Sequence, residues 1–411
     1  MTDAVASIPE ETAPVPLLEP RDGLPPVVSD EAALAAVVEA FRGGTGPVAV
    51  DAERASGYRY GQRAYLIQLR RQGAGTALID PIACPDLTGL NAALADTEWV
   101  VHAATQDLPC LFEVGMHPGT LFDTELAGRL AGFPRVGLGP MTENVLGLSL
   151  AKEHSAVDWS TRPLPEPWLR YAALDVEVLV DLRDALEAEL DRQGKLDWAR
   201  EEFAALAAAP RPAPRVDPWR RTSQLHKVRR RRQLAVVREM WLTRDRIARE
   251  RDVSPGRVLA DAAIVNAALA MPTSAPALIA VQGFGPRVNR RQLEQWLAAI
   301  ERAREIPESA LPPATAPHDG PPPPRAWAEK DPVAAARLSG ARAAVTALAE
   351  RLHLPAENLI TPDLVRRVSW EPPAEPDADT IGLALRALGA RAWQTELVGP
   401  VLAEAFREAS A

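Results

Sequence analysis

The run Val48-Ala-Val-Asp51-Ala-Glu53 joins a β-branched, apolar segment to two acidic residues. A strand points alternate side chains to opposite faces of a sheet, so Asp51 and Glu53, two positions apart, share one face. Two more apolar segments, Ala64–Arg70 and Thr76–Ile79, follow at hairpin distance, and the three segments together predict antiparallel strands. The same run therefore starts a sheet and places a pair of carboxylates on it.

The flanking sequence alternates between helical and extended patterns. A helical period over Glu31–Phe41 follows Asp30, a residue type that commonly caps helices. The other predicted elements are the helices Leu87–Ala95 and Leu108–Val114 and the strands Trp99–His102 and Leu121–Asp123. From 124 to 206 the pattern is helical, with breaks at prolines. This order predicts an α/β domain over residues 27–206, with a mixed five-stranded sheet flanked by helices.

Two further acidic segments could join the first. His102-Ala-Ala-Thr-Gln-Asp107-Leu-Pro follows a predicted strand, and Tyr171-Ala-Ala-Leu-Asp175 lies in a predicted helix, where residues four apart share a face. Crowded carboxylates repel one another, and hard divalent cations such as Mg²⁺ take oxygen ligands. The segments therefore predict a metal site. Each residue also has an ordinary alternative, with Asp107 as a helix N-cap, Asp175 on a solvated face and Tyr171 in a core.

Length and composition limit the class of protein. A chain of 411 residues has room for two or three domains, and an apolar content of 47% is typical of globular proteins. No uncharged apolar run is long enough to span a membrane. The segment 1–26 is acidic and proline-rich without a signal-peptide pattern, which predicts a disordered leader and a cytoplasmic protein. Cys84 and Cys110 match neither a disulfide framework nor a zinc site.

The net charge of −9 is unevenly distributed along the chain. Counting Lys and Arg against Asp and Glu gives −16 for residues 1–210, +11 for residues 211–300 and −4 for residues 301–411. The acidic front is suited to holding cations, and the basic middle to holding a polyanion. A helical domain rich in solvated arginine is the alternative explanation of the basic middle.

In their order and spacing the three acidic segments resemble the DEDD exonucleases, in the subclass with tyrosine in the third motif, and most closely the ribonuclease D family. The resemblance covers roughly residues 30–205. Where relatives outside the tyrosine subclass carry a histidine, five positions before the last aspartate, this chain has Arg170. The further segments that match are Ala64-Tyr-Leu-Ile-Gln-Leu69, Ala77-Leu-Ile-Asp-Pro81, Leu121-Phe-Asp-Thr124, Lys152, and Asp158-Trp-Ser-Thr-Arg162-Pro-Leu164.

The resemblance implies a fold, cofactors and residue roles. The fold would be ribonuclease H-like, and the cofactors would be two divalent metal ions, Mg²⁺ or Mn²⁺. Asp51 would bridge both ions. Glu53 and Asp175 would complete the first, and Asp107 would support the second. Tyr171 would orient the attacking water, because a tyrosine with a pKa of about 10 is a poor general base at neutral pH.

Several cations are candidates to contact RNA. Lys152 and Arg162 match the family pattern and are suited to bind phosphate, although either could instead be a surface ion-pair residue. The basic run Lys227-Val-Arg229-Arg-Arg-Arg232 is another candidate. If that run is helical, Arg229 and Arg232 lie on one face.

The rest of the chain predicts two helical domains separated by proline-rich linkers. The linkers are residues 207–215 and 304–329. Residues 216–303 contain Leu278-Ile-Ala-Val-Gln-Gly-Phe-Gly285, which resembles the helicase-and-RNase-D C-terminal (HRDC) domain, a helical bundle that binds nucleic acid. Residues 330–411 resemble a degenerate second copy of that bundle.

The function that these observations predict is a metal-dependent 3′-to-5′ exoribonuclease. It would release nucleoside 5′-monophosphates from the single-stranded 3′ ends of tRNA precursors or other small RNAs. No membrane and no obligatory protein partner are expected. Two alternatives stay open. One is a DNA exonuclease of the same fold. Contacts to the 2′-hydroxyl of the substrate would distinguish an RNA enzyme from it. The other is an RNA-binding protein whose catalytic site has lapsed.

Overall fold

The computed structural model of the chain describes residues 13–151, 154, 156–211, 213–284, 290–315 and 320–410. These residues form an α/β domain followed by a first and a second helical domain. The strands are β1 (Val15–Leu17), β2 (Val27–Val28), β3 (Thr45–Arg54), β4 (Ala64–Gln72), β5 (Gly75–Ile79), β6 (Glu98–Val101), β7 (Thr120–Asp123) and β8 (Leu148–Leu150).

The helices of the α/β domain are α1 (Glu31–Gly43), α2 (Thr88–Ala93), α3 (Leu108–Glu113), α4 (Thr124–Ala131), α5 (Leu138–Leu146), α6 (Glu166–Glu177), α7 (Leu179–Arg192) and α8 (Leu196–Ala207). Those of the first helical domain are α9 (Arg231–Glu250), α10 (Pro255–Val258), α11 (Asp261–Ala270), α12 (Ala275–Ile279) and α13 (Arg290–Glu305). Those of the second are α14 (Trp327–Lys330), α15 (Pro332–Arg351), α16 (Ala356–Leu359), α17 (Pro362–Trp370), α18 (Ala378–Ala387) and α19 (Ala392–Ser410). No described helix is both long and apolar enough to cross a membrane.

The main sheet is mixed, as predicted, and its strand order is β2-β5-β4-β3-β6-β7. β3 pairs antiparallel with β4 and parallel with β6, which places it in the middle of the sheet. Val48, Ala49 and Val50 are all buried, since both faces of this strand are covered. Among the described residues this sheet has six strands and not five. The sixth, β2, pairs only two residues with the end of β5, and so short a strand has no periodicity that a sequence could show.

Residues 13–26 lie on the α/β domain, so the predicted disordered leader is wrong for these residues. Residues 1–12 lie outside the described residues. β1 pairs in parallel with β8, a strand at 148–150 in the region predicted to be helical. Arg21 forms an ion pair with Asp181 on α7 at 2.7 Å. These contacts exist only in the folded chain, so the acidic, proline-rich composition could not reveal them.

The two helical domains are packed differently. The first has its own apolar core, which includes Trp219, Met240 and Trp296. The second shares a core with the α/β domain, and the rings of Trp198 on α8 and Trp393 on α19 stack with centroids 5.0 Å apart. The second helical domain is therefore packed against the α/β domain as part of the same core.

The first helical domain is attached to the loop that follows β3. The Tyr60 hydroxyl donates to Asp245 on α9 at 2.9 Å, and the Ser254 backbone N–H donates to the Tyr58 carbonyl at 2.9 Å. The guanidinium of Arg257 lies over the Tyr58 ring, 4.2 Å from its centroid. The loop begins directly after the acidic end of β3, so this domain sits beside the site described next.

Candidate active site

Two elements bring three of the predicted acidic residues together. β3 carries Asp51 and Glu53 close to its carboxyl end, and α6 packs against β3 with Tyr171 and Asp175 one turn apart. One carboxylate oxygen from each of Asp51, Glu53 and Asp175 lies within 4.8 Å of the others. The strand period and the helix period put each pair of residues on one face, and the packing of α6 against β3 brings the two pairs together.

Asp107 reaches the same edge of the sheet by a sharp turn after β6. Ala103 adopts a left-handed conformation, with φ of 61°, and the buried carboxylate of Asp123 accepts hydrogen bonds from the N–H groups of Ala103 and Ala104 at 3.0 and 2.9 Å. Asp107 lies at the N-cap position of α3, but its side chain accepts no capping hydrogen bond. Its carboxylate instead faces the cleft, so the capping alternative does not describe its role.

The four carboxylates and Tyr171 line one cleft of about 550 Å³. Burial raises the pKa of Glu53 well above its ordinary value, and the neighbouring carboxylates raise it further. The pKa values of Asp107 and Asp175 are raised for the same two reasons, with Asp51 as a neighbouring charge in both. Burial also raises the pKa of Asp51. Ionised carboxylates are thus unfavourable here unless a cation joins them.

The donor set fits a hard divalent cation. Its ligand atoms are carboxylate oxygens, and the described part of the cleft is lined by no cysteine and by one histidine, His102, whose Nδ1 is engaged by the Thr124 hydroxyl at 2.9 Å. Burial and the adjacent carboxylates also raise the pKa of Tyr171 above its ordinary value. In the metal-free protein its hydroxyl therefore stays protonated near neutral pH, which favours a hydrogen-bonding role over that of a general base.

Arg54 is a residue of the cleft that the sequence did not single out. Its guanidinium lies 3.3 Å from the Asp107 carboxylate and donates a hydrogen bond to the Gln106 carbonyl. Regular alternation would place Arg54 on the face opposite to Glu53. The pairing of β3 with β4 shifts register between these two residues, however, and such an irregularity redirects a side chain without any signal in the hydrophobic pattern.

Arg162 does not lie where a phosphate contact would need it. Its Nε and Nη2 donate to both carboxylate oxygens of Asp80, at 2.7 and 2.9 Å. Its remaining donors bond the backbone carbonyls of Trp159, Thr161 and Tyr65. A guanidinium has five N–H groups, and here all of them are used within the protein. The predicted RNA contact is therefore replaced by a structural role, because no donor is left for a phosphate.

The other predicted RNA contacts have different outcomes. Lys152 lies outside the described residues. Arg229 is exposed and precedes α9, which begins only at Arg231, so Arg229 and Arg232 do not share a helical face. Arg232 donates to the backbone carbonyls at the end of α13 and pairs with Glu308. It closes the first helical domain, and the prediction of a joint RNA contact by Arg229 and Arg232 is corrected.

Replacing Arg162 with alanine is expected to lower the free energy of unfolding by about 2–4 kcal/mol, because it leaves Asp80 partly buried without its partner. Burial raises the pKa of Asp80, but the bonds from Arg162 and from the Ile82 N–H outweigh it and leave the pKa below its ordinary value. This stabilisation is present above the unfolded pKa and is lost as pH falls through the folded pKa. Urea unfolding of both proteins at neutral pH and below about pH 4 should therefore show the difference shrinking in acid.

Arg200→Ala is the matched control. Arg200 forms long ion pairs with Asp197 at 3.8 Å and with Glu187 at 3.6 Å, and its side chain is 60% exposed. Loss of such surface pairs is expected to cost less than about 1 kcal/mol. If the two variants lost equal stability, the structural role of Arg162 would be wrong.

Family models match all three parts of the chain. Residues 25–191 match the model described as 3′-5′ exonuclease, and residues 233–300 match the HRDC domain. Residues 320–406 match the model described as 3′ to 5′ exonuclease C-terminal domain. The second helical domain thus matches a different model from the first, and its resemblance to a second HRDC copy receives no support.

Known proteins resemble the chain over most of its length. Ribonuclease D of Gluconacetobacter diazotrophicus is 34% identical, with 67% of this chain and 71% of that protein covered. A protein of Bifidobacterium adolescentis with a crystal structure is 38% identical, with a TM-score of 0.86, 96% of this chain and 100% of that chain covered. RNase D of Escherichia coli, an exoribonuclease involved in structured RNA processing, is 29% identical, with a TM-score of 0.65 and with 84% and 89% of the two chains covered.

Proposed function

The chain belongs to the ribonuclease D family and is a 3′-to-5′ exoribonuclease, and from this premise we propose that the carboxylate cleft is its catalytic centre. The observation that carries this proposal is the cluster of Asp51, Glu53 and Asp175, whose ligand atoms lie within 4.8 Å of one another. Asp107 and Tyr171 line the same cleft. The five residues belong to three separated segments, and only the fold brings them together.

We further propose that the cleft holds two divalent ions, Mg²⁺ or Mn²⁺. Asp51 would contact both, Glu53 and Asp175 would hold one, and Asp107 the other. When bound, such a pair supplies positive charge that lowers the pKa of the attacking water and stabilises the leaving oxygen. The raised pKa values of these carboxylates support the proposal, because a cation removes the repulsion that raises them.

The chain's own groups orient the reaction. Tyr171 lies against Asp175, and its protonated hydroxyl can hold the water that attacks phosphorus. The bond from phosphorus to the 3′ oxygen of the preceding nucleotide breaks, so the terminal nucleotide leaves as a nucleoside 5′-monophosphate. The shortened RNA keeps a 3′-hydroxyl and is a substrate for the next cycle.

The substrates that we propose are single-stranded 3′ ends of tRNA precursors or other structured small RNAs. The basic first helical domain supports this, since it is docked beside the cleft through Tyr58 and Tyr60 and can bind the body of an RNA. A 3′ end has to enter the cleft to reach the carboxylates on its walls, and a single strand reaches them without the unpairing that a duplex end would need. A free 3′ tail is therefore the fitting substrate.

A time course on 5′-labelled single-stranded RNA tests the proposed function. Stepwise shortening from the 3′ end with release of nucleoside 5′-monophosphates is expected in Mg²⁺ or Mn²⁺, and complete loss of activity in excess EDTA, because the carboxylates alone activate no water. DNA of the same sequence serves as the comparison. Faster cleavage of DNA would favour the DNA exonuclease alternative, and RNA binding without hydrolysis in either metal would favour a lapsed site.

A further inference from the structure

The loop 132–137, between α4 and α5, contributes one residue to the wall of the catalytic cleft. Arg135 on this loop lines the cleft together with the first residues of α5. The acidic segments lie on β3, α6 and the turn after β6, so Arg135 comes from a different part of the domain. It is a cleft residue that no acidic motif contains.

The guanidinium of Arg135 has N–H donors that no described residue uses. It is exposed, and no described residue accepts a hydrogen bond from it or forms an ion pair with it. Arg54, the other arginine that lines the cleft, is engaged by the Asp107 carboxylate and the Gln106 carbonyl. Within the described part of the cleft, Arg135 is thus the cation that can bind an incoming anion without first breaking a contact.

An RNA strand needs such a cation here. The proposed metal ions would offset the charge of the four carboxylates at the phosphate that is cleaved, and the phosphates further along the strand need donors of their own. A guanidinium presents two parallel N–H groups that match two phosphate oxygens, so it fixes orientation as well as supplying charge. Arg135 is therefore suited to hold a backbone phosphate of the strand while its 3′ end lies at the carboxylates.

The loop that carries Arg135 is braced from behind by the second helical domain. Gly132 has φ of 86°, and a Cβ at this position would lie 2.3 Å from the backbone oxygen of His353. The Nζ of Lys195 donates to the Leu130 carbonyl at 2.8 Å and to the His353 carbonyl at 3.5 Å. A close backbone contact and a bridging amine thus fix the start of the loop, which limits the positions that Arg135 can take.

We propose that Arg135, held at the cleft by the contact between Gly132 and the second helical domain, binds a phosphate of the RNA strand during cleavage. The proposal deepens the proposed function and rests on it, because the cleft has to be the catalytic centre. It also gives the second helical domain a role in substrate binding through the position of one loop.

Steady-state cleavage of single-stranded RNA by the full-length Arg135→Ala protein tests the phosphate contact. KM is expected to rise about 10-fold, the effect of losing one charge-assisted hydrogen-bonded contact. The log–log dependence of kcat/KM on salt should become flatter by about 0.7, since one phosphate contact to a single strand is lost. The melting temperature should not change, because Arg135 has no partner in the described protein. Arg135→Lys keeps the positive charge but not the two parallel N–H groups, so its KM should lie between those of the native protein and Arg135→Ala.

Arg342→Ala is the control, because Arg342 is an exposed arginine of α15 without a described partner, and it does not line the cleft. An unchanged KM and salt dependence in Arg135→Ala, or equal changes in Arg342→Ala, would overturn the phosphate contact.

Gly132→Ala tests the contact between Gly132 and the second helical domain. It should raise KM and lower the melting temperature. A loss of stability with an unchanged KM would overturn the role of this contact in holding Arg135. Asp51→Asn separates the two proposals. If it stays active the catalytic centre is wrong, and if it is inactive while Arg135→Ala behaves as the native protein, only the present inference fails.

Discussion

Asp51→Asn is expected to lower kcat on the order of 10³-fold or more, because the proposed role of Asp51 is to contact both metal ions. The asparagine keeps the shape of the side chain and removes one charged ligand atom. The fold should stay intact, since buried apolar residues of β3 such as Val48 and Val50 supply the packing of this strand. Single-turnover cleavage in saturating Mg²⁺ and Mn²⁺, together with thermal unfolding, measures both expectations.

The stability of the metal-free protein gives this prediction a second readout. Burial raises the pKa of Asp51 in the folded protein, so between the unfolded and folded pKa values the folded state binds more protons. The free energy of unfolding then falls as pH rises through that interval. Asparagine does not ionise, so in EDTA at neutral pH Asp51→Asn should unfold at the same temperature as the native protein or a higher one.

Asp197→Asn provides the matched control. Asp197 on α8 is 95% exposed and does not line the cleft, so neither activity nor stability should change. Residual metal-dependent hydrolysis close to the native rate in Asp51→Asn would contradict the proposed catalytic centre. A large fall in its metal-free melting temperature would show instead that Asp51 supports the fold.

The parts of the site that the sequence predicted are those set by local periods. The alternation of β3 placed Asp51 and Glu53 on one face, and the helical period of α6 placed Tyr171 and Asp175 together. The meeting of these two segments was predicted because a metal site needs several carboxylates together and because the order of the segments resembles the DEDD exonucleases; a period alone does not show which elements pack against each other. The cluster that results has ligand atoms within 4.8 Å of one another.

The parts that the sequence did not predict depend on contacts between distant segments. Arg162 matched the family pattern as a cation, but its role is set by Asp80, a residue 82 positions away that directly follows β5. The same holds for Arg232, whose partners are carbonyls of α13. A basic residue in the sequence shows a charge, and only the fold shows whether its donors are already used.

The boundaries of ordered structure were missed for a related reason. Residues 13–26 looked disordered by composition, yet β1 pairs with β8 and Arg21 pairs with Asp181. Strands of two or three residues carry no period, and their stability comes from the partner strand. The second helical domain was likewise predicted only as a separate domain behind a proline-rich linker. In the fold it packs against the α/β domain, where Trp393 stacks on Trp198.

Tyr171→Phe is expected to lower kcat on the order of 10²-fold and to leave KM for RNA nearly unchanged, because the hydroxyl is proposed to hold the attacking water mainly in the transition state. The ring packs in the apolar cluster around Trp159, and phenylalanine keeps that packing. The raised pKa of Tyr171 adds a pH expectation. Since the hydroxyl stays protonated, the native rate should not rise in alkali with a tyrosine pKa, and the pH profiles of the two proteins should be parallel.

Tyr65→Phe is the control for removing a phenol from the same cluster. Tyr65 is buried there, its hydroxyl accepts a hydrogen bond from Arg63 at 3.0 Å, and it does not line the cleft. Its kcat should equal that of the native protein. An unchanged kcat in Tyr171→Phe would return Tyr171 to a packing role. A second contrary result would be a gain of activity in the native protein alone as the pH rises through a tyrosine-like pKa. That result would mean that the hydroxyl acts as a base, and the positioning of water by a neutral phenol would have to be abandoned.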